Sequence, residues 1–152
     1  MPARAQRPEL RNLMTEALNE LEVVTLFVED VASAGQFYTG VFGLEVVYQD
    51  DVSMIVKLGH VMLNLLQREQ APELVEPSTV AKSAAGVRAL FTIRVADVDA
   101  VCADLQRHGV QLLNGPVDRP WGRRTAAFAD PAGNVWEIAQ VLDGGQPEDS
   151  EK

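Results

Sequence analysis

The sequence has few of the residues that form cross-links and metal sites. Its 152 residues include one cysteine, Cys102, and two histidines, His60 and His108. One cysteine excludes an internal disulfide and a cysteine-based zinc site, and two imidazoles leave few nitrogen donors for other metals. A chain of this length buries about 68–70% of its unfolded surface, so its core needs no such cross-link. The scarcity of cysteine also fits a reducing compartment, and we expect a cytoplasmic protein.

Long apolar runs and excess positive charge are also missing. No apolar stretch approaches the roughly 20 residues that span a bilayer, and residues 1–14 lack the apolar segment of a secretory signal. The 13 Lys and Arg residues are outnumbered by 22 Asp and Glu residues, which gives a net charge of −9. Because Lys and Arg carry phosphate binding, this balance predicts a protein that binds neither nucleic acid nor an anionic membrane.

The negative charge is unevenly distributed along the chain. Residues 21–67 carry one lysine against six acidic residues, a net charge of −5. Residues 143–152 carry a net charge of −3 and no apolar side chain, so we expect a disordered acidic tail there. Residues 9–19 place their leucines on one helical face, which predicts a helix within an N-terminal extension of residues 1–20.

Two segments of the chain are alike at an interval of 67 residues. Residues 24–31 and 91–98 both alternate large apolar side chains with more variable ones, and both contain an aspartate, Asp30 and Asp97, directly after the alternating run. Alternation over this length predicts a strand, and an aspartate at its end is a favoured helix N-cap. The chain is therefore organised as a tandem repeat.

A helix and three further strands follow in each copy. Apolar stripes predict helices over residues 31–42 and 98–108, each followed by a glycine, where helices commonly end. Apolar runs separated by turn residues predict strands at residues 44–49, 53–58, 61–67, 110–117, 124–129 and 135–142. Each copy is therefore a βαβββ module. The modules span residues 21–67 and 89–142, joined by a linker at residues 68–88 within one domain of residues 21–142.

The order of these motifs resembles the vicinal oxygen chelate superfamily, the group of glyoxalases, bleomycin-resistance proteins and extradiol dioxygenases. The resemblance is carried by residues 27–31, 37–38 and 41–46 in the first copy and by residues 95–98, 109–110, 120–122 and 130–137 in the second. It implies an α+β fold in which the tandem modules form an eight-stranded curved mixed sheet around a cup-shaped cavity. It also implies a homodimer.

The resemblance further implies where metal-dependent members hold their ligands, on the first and last strands of each module. The equivalent positions here are occupied by Val23, Asn64, Leu90 and Glu137. Valine and leucine offer no donor atom and asparagine only a neutral carbonyl, whereas divalent ions need imidazoles or several carboxylates. The comparison therefore implies neither a metal nor another cofactor, and it excludes a two-histidine, one-carboxylate iron centre at these positions.

Glu137 and His60 are the remaining candidates for chemistry. A carboxylate in an apolar strand costs desolvation unless it is paired, and Arg94, Arg123 and Arg124 are its candidate partners. Glu137 therefore either contacts a ligand or is held by an ion pair. His60 lies either on the cavity face of its strand or in a surface turn, and with Glu137 alone it supplies too few donors for a catalytic metal.

Alternation along the strands also predicts the lining of the cup. Trp121, in a Pro-Trp-Gly turn, is placed either at the rim as a stacking platform or in loop packing. The predicted ligand-binding residues are Val23, Thr25, Phe27, His60, Met62, Asn64, Leu90, Thr92, Arg94, Trp121 and Glu137. A mostly apolar cup with few polar anchors is typical of a site for a small molecule.

Three functions remain open at this point. The first is a metal-independent protein of the bleomycin-resistance type, which sequesters an amphipathic or aromatic compound, cationic ones included, in a dimer groove and so confers antibiotic resistance. The second is a glyoxalase- or dioxygenase-like lyase or isomerase whose site is non-standard or metal-free, with Glu137 as general base. The third is a non-catalytic accessory domain whose cavity is filled by its own side chains. The missing metal ligands favour the first.

Overall fold

The computed structural model describes residues 18–143, which form the two predicted βαβββ modules. Both modules have a strand, a helix and three more strands, and the linker contains a short helix between two 3₁₀ turns. The first module comprises β1 (Val23–Val28), α1 (Val31–Gly40), β2 (Glu45–Gln49), β3 (Ser53–Leu58) and β4 (Val61–Gln67). The linker contains the 3₁₀ turns Arg68–Gln70 and Ser83–Ala85 and α2 (Pro72–Val75). The second module comprises β5 (Leu90–Arg94), α3 (Val98–Arg107), β6 (Leu112–Arg119), β7 (Arg123–Ala129) and β8 (Val135–Val141).

The eight strands form two four-stranded mixed sheets with the same topology. The order is β1-β4-β3-β2 in the first module and β5-β8-β7-β6 in the second. In each sheet the first strand pairs in parallel with the last strand of its module, and the other pairs are antiparallel. The predicted α+β class and tandem modules are confirmed. Over residues 18–143, however, the eight strands are hydrogen-bonded as two sheets rather than as one continuous sheet.

Both long helices begin at the predicted aspartate caps. The Asp30 carboxylate accepts a hydrogen bond from the backbone N–H of Ala32 at 3.1 Å, and the Asp97 carboxylate accepts one from that of Ala100 at 3.1 Å. Each bond satisfies one of the N–H groups that a helix start leaves without an intrahelical acceptor.

The helices end slightly earlier than predicted, at Gly40 and Arg107. The Leu44 N–H returns to the Tyr38 carbonyl at 3.0 Å, across Gly43 in the left-handed region at φ 70°. This closing turn uses the glycine that the sequence placed at the helix end. The Val110 N–H likewise bonds the Leu105 carbonyl at 2.9 Å, so β6 begins at residue 112 rather than at residue 110 as predicted.

The two modules share one hydrophobic core. Its buried residues come from both helices and from the inner faces of both sheets. Phe42, which follows α1, packs with its ring centroid 5.0 Å from that of Trp136 on β8 and 5.9 Å from that of Phe128 on β7. The first module therefore contributes aromatic side chains to the interior of the second.

A buried hydrogen-bond network also joins the modules. The Tyr38 hydroxyl on α1 donates to Asp130 Oδ2 at 2.6 Å and accepts a bond from Trp136 Nε1 at 2.9 Å. Asp130 Oδ1 also accepts from the backbone N–H groups of Ala132 and Asn134 at 2.9 Å each. Burial, together with the Asp130 carboxylate, raises the pKa of Tyr38 far above its usual range, so this hydroxyl stays protonated.

The predicted helix at residues 9–19 and the predicted acidic tail fall almost wholly outside the described residues. Leu18 and Asn19, at the start of the described range, lie in a turn and a bend. Among residues 18–143, no helix is both long and apolar enough to cross a membrane.

Candidate functional site

The face of each sheet that points away from the helices carries nine of the eleven predicted ligand-binding residues, and we call it the cup face. On β1, Leu26 and Val28 are buried towards α1, whereas Val23, Thr25 and Phe27 alternate with them and are more exposed. The same alternation on β5 leaves Leu90, Thr92 and Arg94 exposed. The cup face consists of Val23, Thr25, Phe27, Met62 and Asn64 in the first module and Leu90, Thr92, Arg94 and Glu137 in the second.

The two cup faces carry polar pairs at equivalent positions. Thr25 on β1 lies opposite Asn64 on β4, and Thr92 on β5 lies opposite Glu137 on β8. Asn64 Nδ2 donates to Thr25 Oγ1 at 3.5 Å, whereas the Thr92 hydroxyl donates to Glu137 Oε1 at 2.8 Å. The second bond is short and charge-assisted, so it holds the carboxylate more firmly than the first holds the amide.

The carbonyl oxygen of Asn64 is shielded from solvent and accepts no hydrogen bond within the described part of the chain. A shielded acceptor without a donor costs about 1–3 kcal/mol relative to a satisfied one. The first module therefore keeps one buried acceptor of its anchor pair unsatisfied within residues 18–143.

Arg124, one of the three candidate partners of Glu137, bonds other carboxylates instead. Arg124 bonds Asp118 Oδ1 at 2.7 Å and Asp99 Oδ2 at 2.9 Å, on the helix side of the second sheet. These contacts raise the pKa of Arg124, and the hydrogen bond from Arg124 lowers that of Asp118. The hydrogen-bonding partner of Glu137 is Thr92, which sequence reasoning placed on the same face but did not identify as its partner.

His60 does not lie on the cup face. It is exposed in the turn with Gly59, and β4 begins one residue later, at Val61. The turn interpretation is therefore the correct one, whereas the ligand contact of His60 stays a prediction.

Trp121 lies in the turn between β6 and β7 and is exposed. The Arg119 guanidinium carbon lies 6.0 Å from the centroid of its ring, and Arg119 Nε donates to the buried Thr125 hydroxyl at 2.9 Å. Arg119 therefore joins β6 to β7 beside the indole, which is 53% exposed.

The donor set does not fit a bound metal. Val23 and Leu90 offer no donor atoms, and Asn64 adds only a neutral carbonyl to the single carboxylate of Glu137. Across residues 18–143, no group of three or more His, Cys, Asp or Glu side chains could hold a metal ion. We derive no metal-dependent chemistry for this site.

A cleft of about 370 Å³ lies where the two modules meet the linker, and we call it the junction cleft. Sequence reasoning did not predict that linker residues line this cleft, because a linker without periodicity gives no signal of which side chains face inward. Thr25 and Phe27, which were predicted to line the cup, also line this cleft. Its lining comprises Thr25, Leu26, Phe27, Glu29, Ala81, Lys82, Ser83, Gly86, Val87, Arg88, Ala89, Phe91, Ala132, Gly133 and Asn134.

Residues 20–138 match the family model described as the Glyoxalase/Bleomycin resistance protein/Dioxygenase superfamily. The uncharacterized protein YraH of Bacillus subtilis (strain 168) is 32% identical over 123 residues, which cover 78% of this chain and 96% of that protein. The match therefore spans nearly the whole of that relative.

Solved structures of the same superfamily resemble the chain. A glyoxalase/bleomycin resistance protein/dioxygenase from Nocardioides aligns with a TM-score of 0.75 at 21% identity, over 91% of this chain and 97% of its own. TnmS3, an antibiotic binding protein from a Streptomyces species, aligns with a TM-score of 0.60 at 30% identity, over 80% of this chain and 95% of its own. A lactoylglutathione lyase from Agrobacterium tumefaciens aligns with a TM-score of 0.65 at 24% identity, over 80% of this chain and 92% of its own.

Proposed function

The chain belongs to the Glyoxalase/Bleomycin resistance protein/Dioxygenase superfamily, and we propose that it is a metal-independent small-molecule-binding protein. It sequesters an amphipathic or aromatic compound, cationic ones included, in a groove between two copies in the cytoplasm, and so protects the cell from an antibiotic. The observation that carries this proposal is the cup face itself. That face keeps polar anchors among apolar residues but lacks the donors of a metal site.

The exposure of the cup face supports a groove completed by a second copy. Val23 and Leu90 expose 40% and 51% of their surface, although both lie on sheet strands beside polar anchors. A patch of exposed apolar side chains bordered by polar residues is typical of a binding or association surface. A second copy placed over the face would shield these side chains and enclose the anchors.

The anchors themselves support a ligand that donates hydrogen bonds. Both the shielded Asn64 carbonyl and the Glu137 carboxylate are acceptors. The net charge of −5 in residues 21–67 adds a field that attracts cations. TnmS3, the antibiotic binding protein at 30% identity, supports the same class of activity.

Calorimetric titration of the purified chain with cationic aromatic compounds, bleomycin among them, tests the proposal. We expect saturable binding by at least one compound, weakened about tenfold or more by Glu137→Gln, because the ligand loses a charged acceptor. Glu73→Gln, at an exposed position in α2, is the matched control and should leave affinity within about twofold. If none of these compounds binds, the proposal is wrong.

A second candidate function is proton abstraction by Glu137. The bond from Thr92 fixes one carboxylate oxygen, and within residues 18–143 the other oxygen accepts no hydrogen bond. An oriented carboxylate with one open oxygen can act as a general base if a substrate places an acidic proton within about 2.6–3.2 Å. Solvent deuterium exchange into candidate carbonyl compounds tests this. Exchange that survives Glu137→Gln would exclude this role.

A further inference from the structure

We propose that the junction cleft is a second binding site, for an amphipathic organic anion such as an aromatic carboxylate or sulfonate. This inference does not depend on the proposed function of the cup face, because the charged side chains of the junction cleft differ from those of the cup face. The cleft lies along β1 of the first module, the end of the linker and the loop between β7 and β8 of the second.

The apolar part of the cleft consists of aromatic and aliphatic side chains from both modules and the linker. Phe27 comes from β1, Val87 from the linker, Phe91 from β5, and Ala132 from the loop between β7 and β8. The Phe91 ring centroid lies 5.1 Å from that of Trp136, so the shared core fixes the position of this ring. Aromatic rings held in place in this way can stack against a flat apolar ligand at little entropic cost.

Two cations give the cleft its selectivity for an anion. Lys82 and Arg88 both line it, and neither makes a hydrogen bond or ion pair with any side chain in the described part of the chain. The acidic residue among the described lining is Glu29, whose Oε1 lies 3.8 Å from Nε of Arg68. Arg68 offsets the charge of Glu29, so Lys82 and Arg88 leave a local positive charge in a chain of net charge −9.

Arginine suits this task because its planar guanidinium binds carboxylates and sulfonates through two parallel hydrogen bonds. The volume of about 370 Å³ falls within the range of small-molecule sites and holds a fused ring pair with an acidic group. The cleft thus combines apolar side chains with two cations that have no side-chain partner within residues 18–143.

Binding of 2-naphthoate to the full chain, compared with its cationic analogue 2-naphthylmethylammonium and its neutral analogue 2-naphthamide, tests the inference. We expect 2-naphthoate to bind at least about fivefold more tightly than either analogue, with affinity falling as salt screens the cations. Equal affinity for the three compounds would overturn it.

Paired variants locate the site. Arg88→Glu should weaken 2-naphthoate binding about tenfold or more, and Arg107→Glu, which makes the same charge change at an exposed helix end, should change it less than about twofold. Val87→Asp should also weaken binding, whereas Leu74→Asp should not. Val87 and Leu74 expose 59% and 64% of their surface, so neither change disturbs the core. An equal effect of both members of either pair contradicts the assignment.

The result also separates this site from the cup face. Glu137→Gln should leave 2-naphthoate affinity unchanged while it weakens a cation bound at the cup. Loss of 2-naphthoate binding in Glu137→Gln, with binding retained in Arg88→Glu, would place the anion at the cup and overturn the inference.

Discussion

The two modules have the same topology but differ in how their polar residues are used. At the equivalent anchor positions the first module has a hydroxyl–amide pair joined at 3.5 Å, and the second a hydroxyl–carboxylate pair joined at 2.8 Å. The helices differ as well. Tyr38 on α1 bonds Asp130 of the other module, whereas Asp99 on α3 bonds Arg124 of its own. The repeat thus preserves the backbone topology and the helix caps, whereas the polar contacts of the side chains differ between the modules.

The largest expected effect comes from breaking the contact between the modules. Trp136→Ala removes a side chain that is 2% exposed and packs against rings of both modules, so we expect a loss of about 3–5 kcal/mol in the free energy of unfolding. Trp121→Ala is the control, because that indole is 53% exposed and should cost less than about 1 kcal/mol. Urea unfolding measures both. Similar losses for the two tryptophans would contradict the shared core.

Two tyrosine–aspartate hydrogen bonds, one buried between the modules and one exposed, allow the stability contributed by the interior and by the surface to be compared. Tyr38→Phe removes the buried 2.6 Å bond to Asp130 and leaves Trp136 Nε1 without its acceptor, so we expect about 1–3 kcal/mol of destabilisation. Tyr48→Phe removes an exposed 2.7 Å bond to Asp50 and should cost distinctly less, because water replaces the lost partner. The same urea measurements apply. A larger loss for Tyr48→Phe would show that the modules do not depend on the buried network.

Exchanging the anchors tests whether their difference sets ligand preference at the cup face. Asn64→Asp gives the first module a carboxylate like that of the second, and we expect a cation bound at the cup to bind about tenfold more tightly. The double variant Asn64→Asp/Glu137→Gln should recover part of what Glu137→Gln loses. Calorimetry with the same cationic compound measures each variant. Unchanged affinity in Asn64→Asp would mean that the first module's anchor does not contact the ligand.

The smallest expected effect is on the pH dependence of stability. The hydrogen bond from Tyr48 lowers the pKa of Asp50 below its ordinary 3.8, and the bond from Arg124 does the same for Asp118. A carboxyl with a lowered folded-state pKa contributes stability that is present above its unfolded pKa and is lost as the pH falls through its folded value. As the pH falls below about 4, the free energy of unfolding decreases. We therefore expect Asp50→Asn and Asp118→Asn each to make this decrease smaller.

Salt distinguishes the two carboxyls. Asp118 faces a charged partner, so high salt should reduce the effect of Asp118→Asn. Asp50 faces a neutral hydroxyl, so the effect of Asp50→Asn should persist. Identical salt dependence of the two variants in acid urea titrations would contradict this distinction.

The backbone of the domain could be predicted from local signals in the sequence. Alternation and turn residues predicted β3 and β4 with the observed bounds, and Asp30 and Asp97 were identified as caps because a cap bonds residues two or three positions away. The bounds of β6 were missed because a single bond, from the Val110 N–H to the Leu105 carbonyl, extends the helix closure into the expected strand.

The candidate site could be predicted only in part. Alternation placed Glu137 and Thr92 on one face, but it could not show which polar neighbour would bond the carboxylate. Asp130 looked like an ordinary turn residue, and its bond to Tyr38 joins positions 92 residues apart. The junction cleft depends on how the linker crosses both modules, a three-dimensional arrangement without sequence periodicity.

The bond between Tyr38 and Asp130 also sets the order of events during synthesis. When α1 leaves the ribosome, the acceptor for its tyrosine lies 92 residues further along the chain and has not yet been translated. The aromatic side chains that follow, Phe42 among them, lack their partners on β7 and β8 for the same interval. We therefore expect a chain that terminates before residue 130 to leave this aromatic surface exposed, which makes such incomplete chains prone to aggregation.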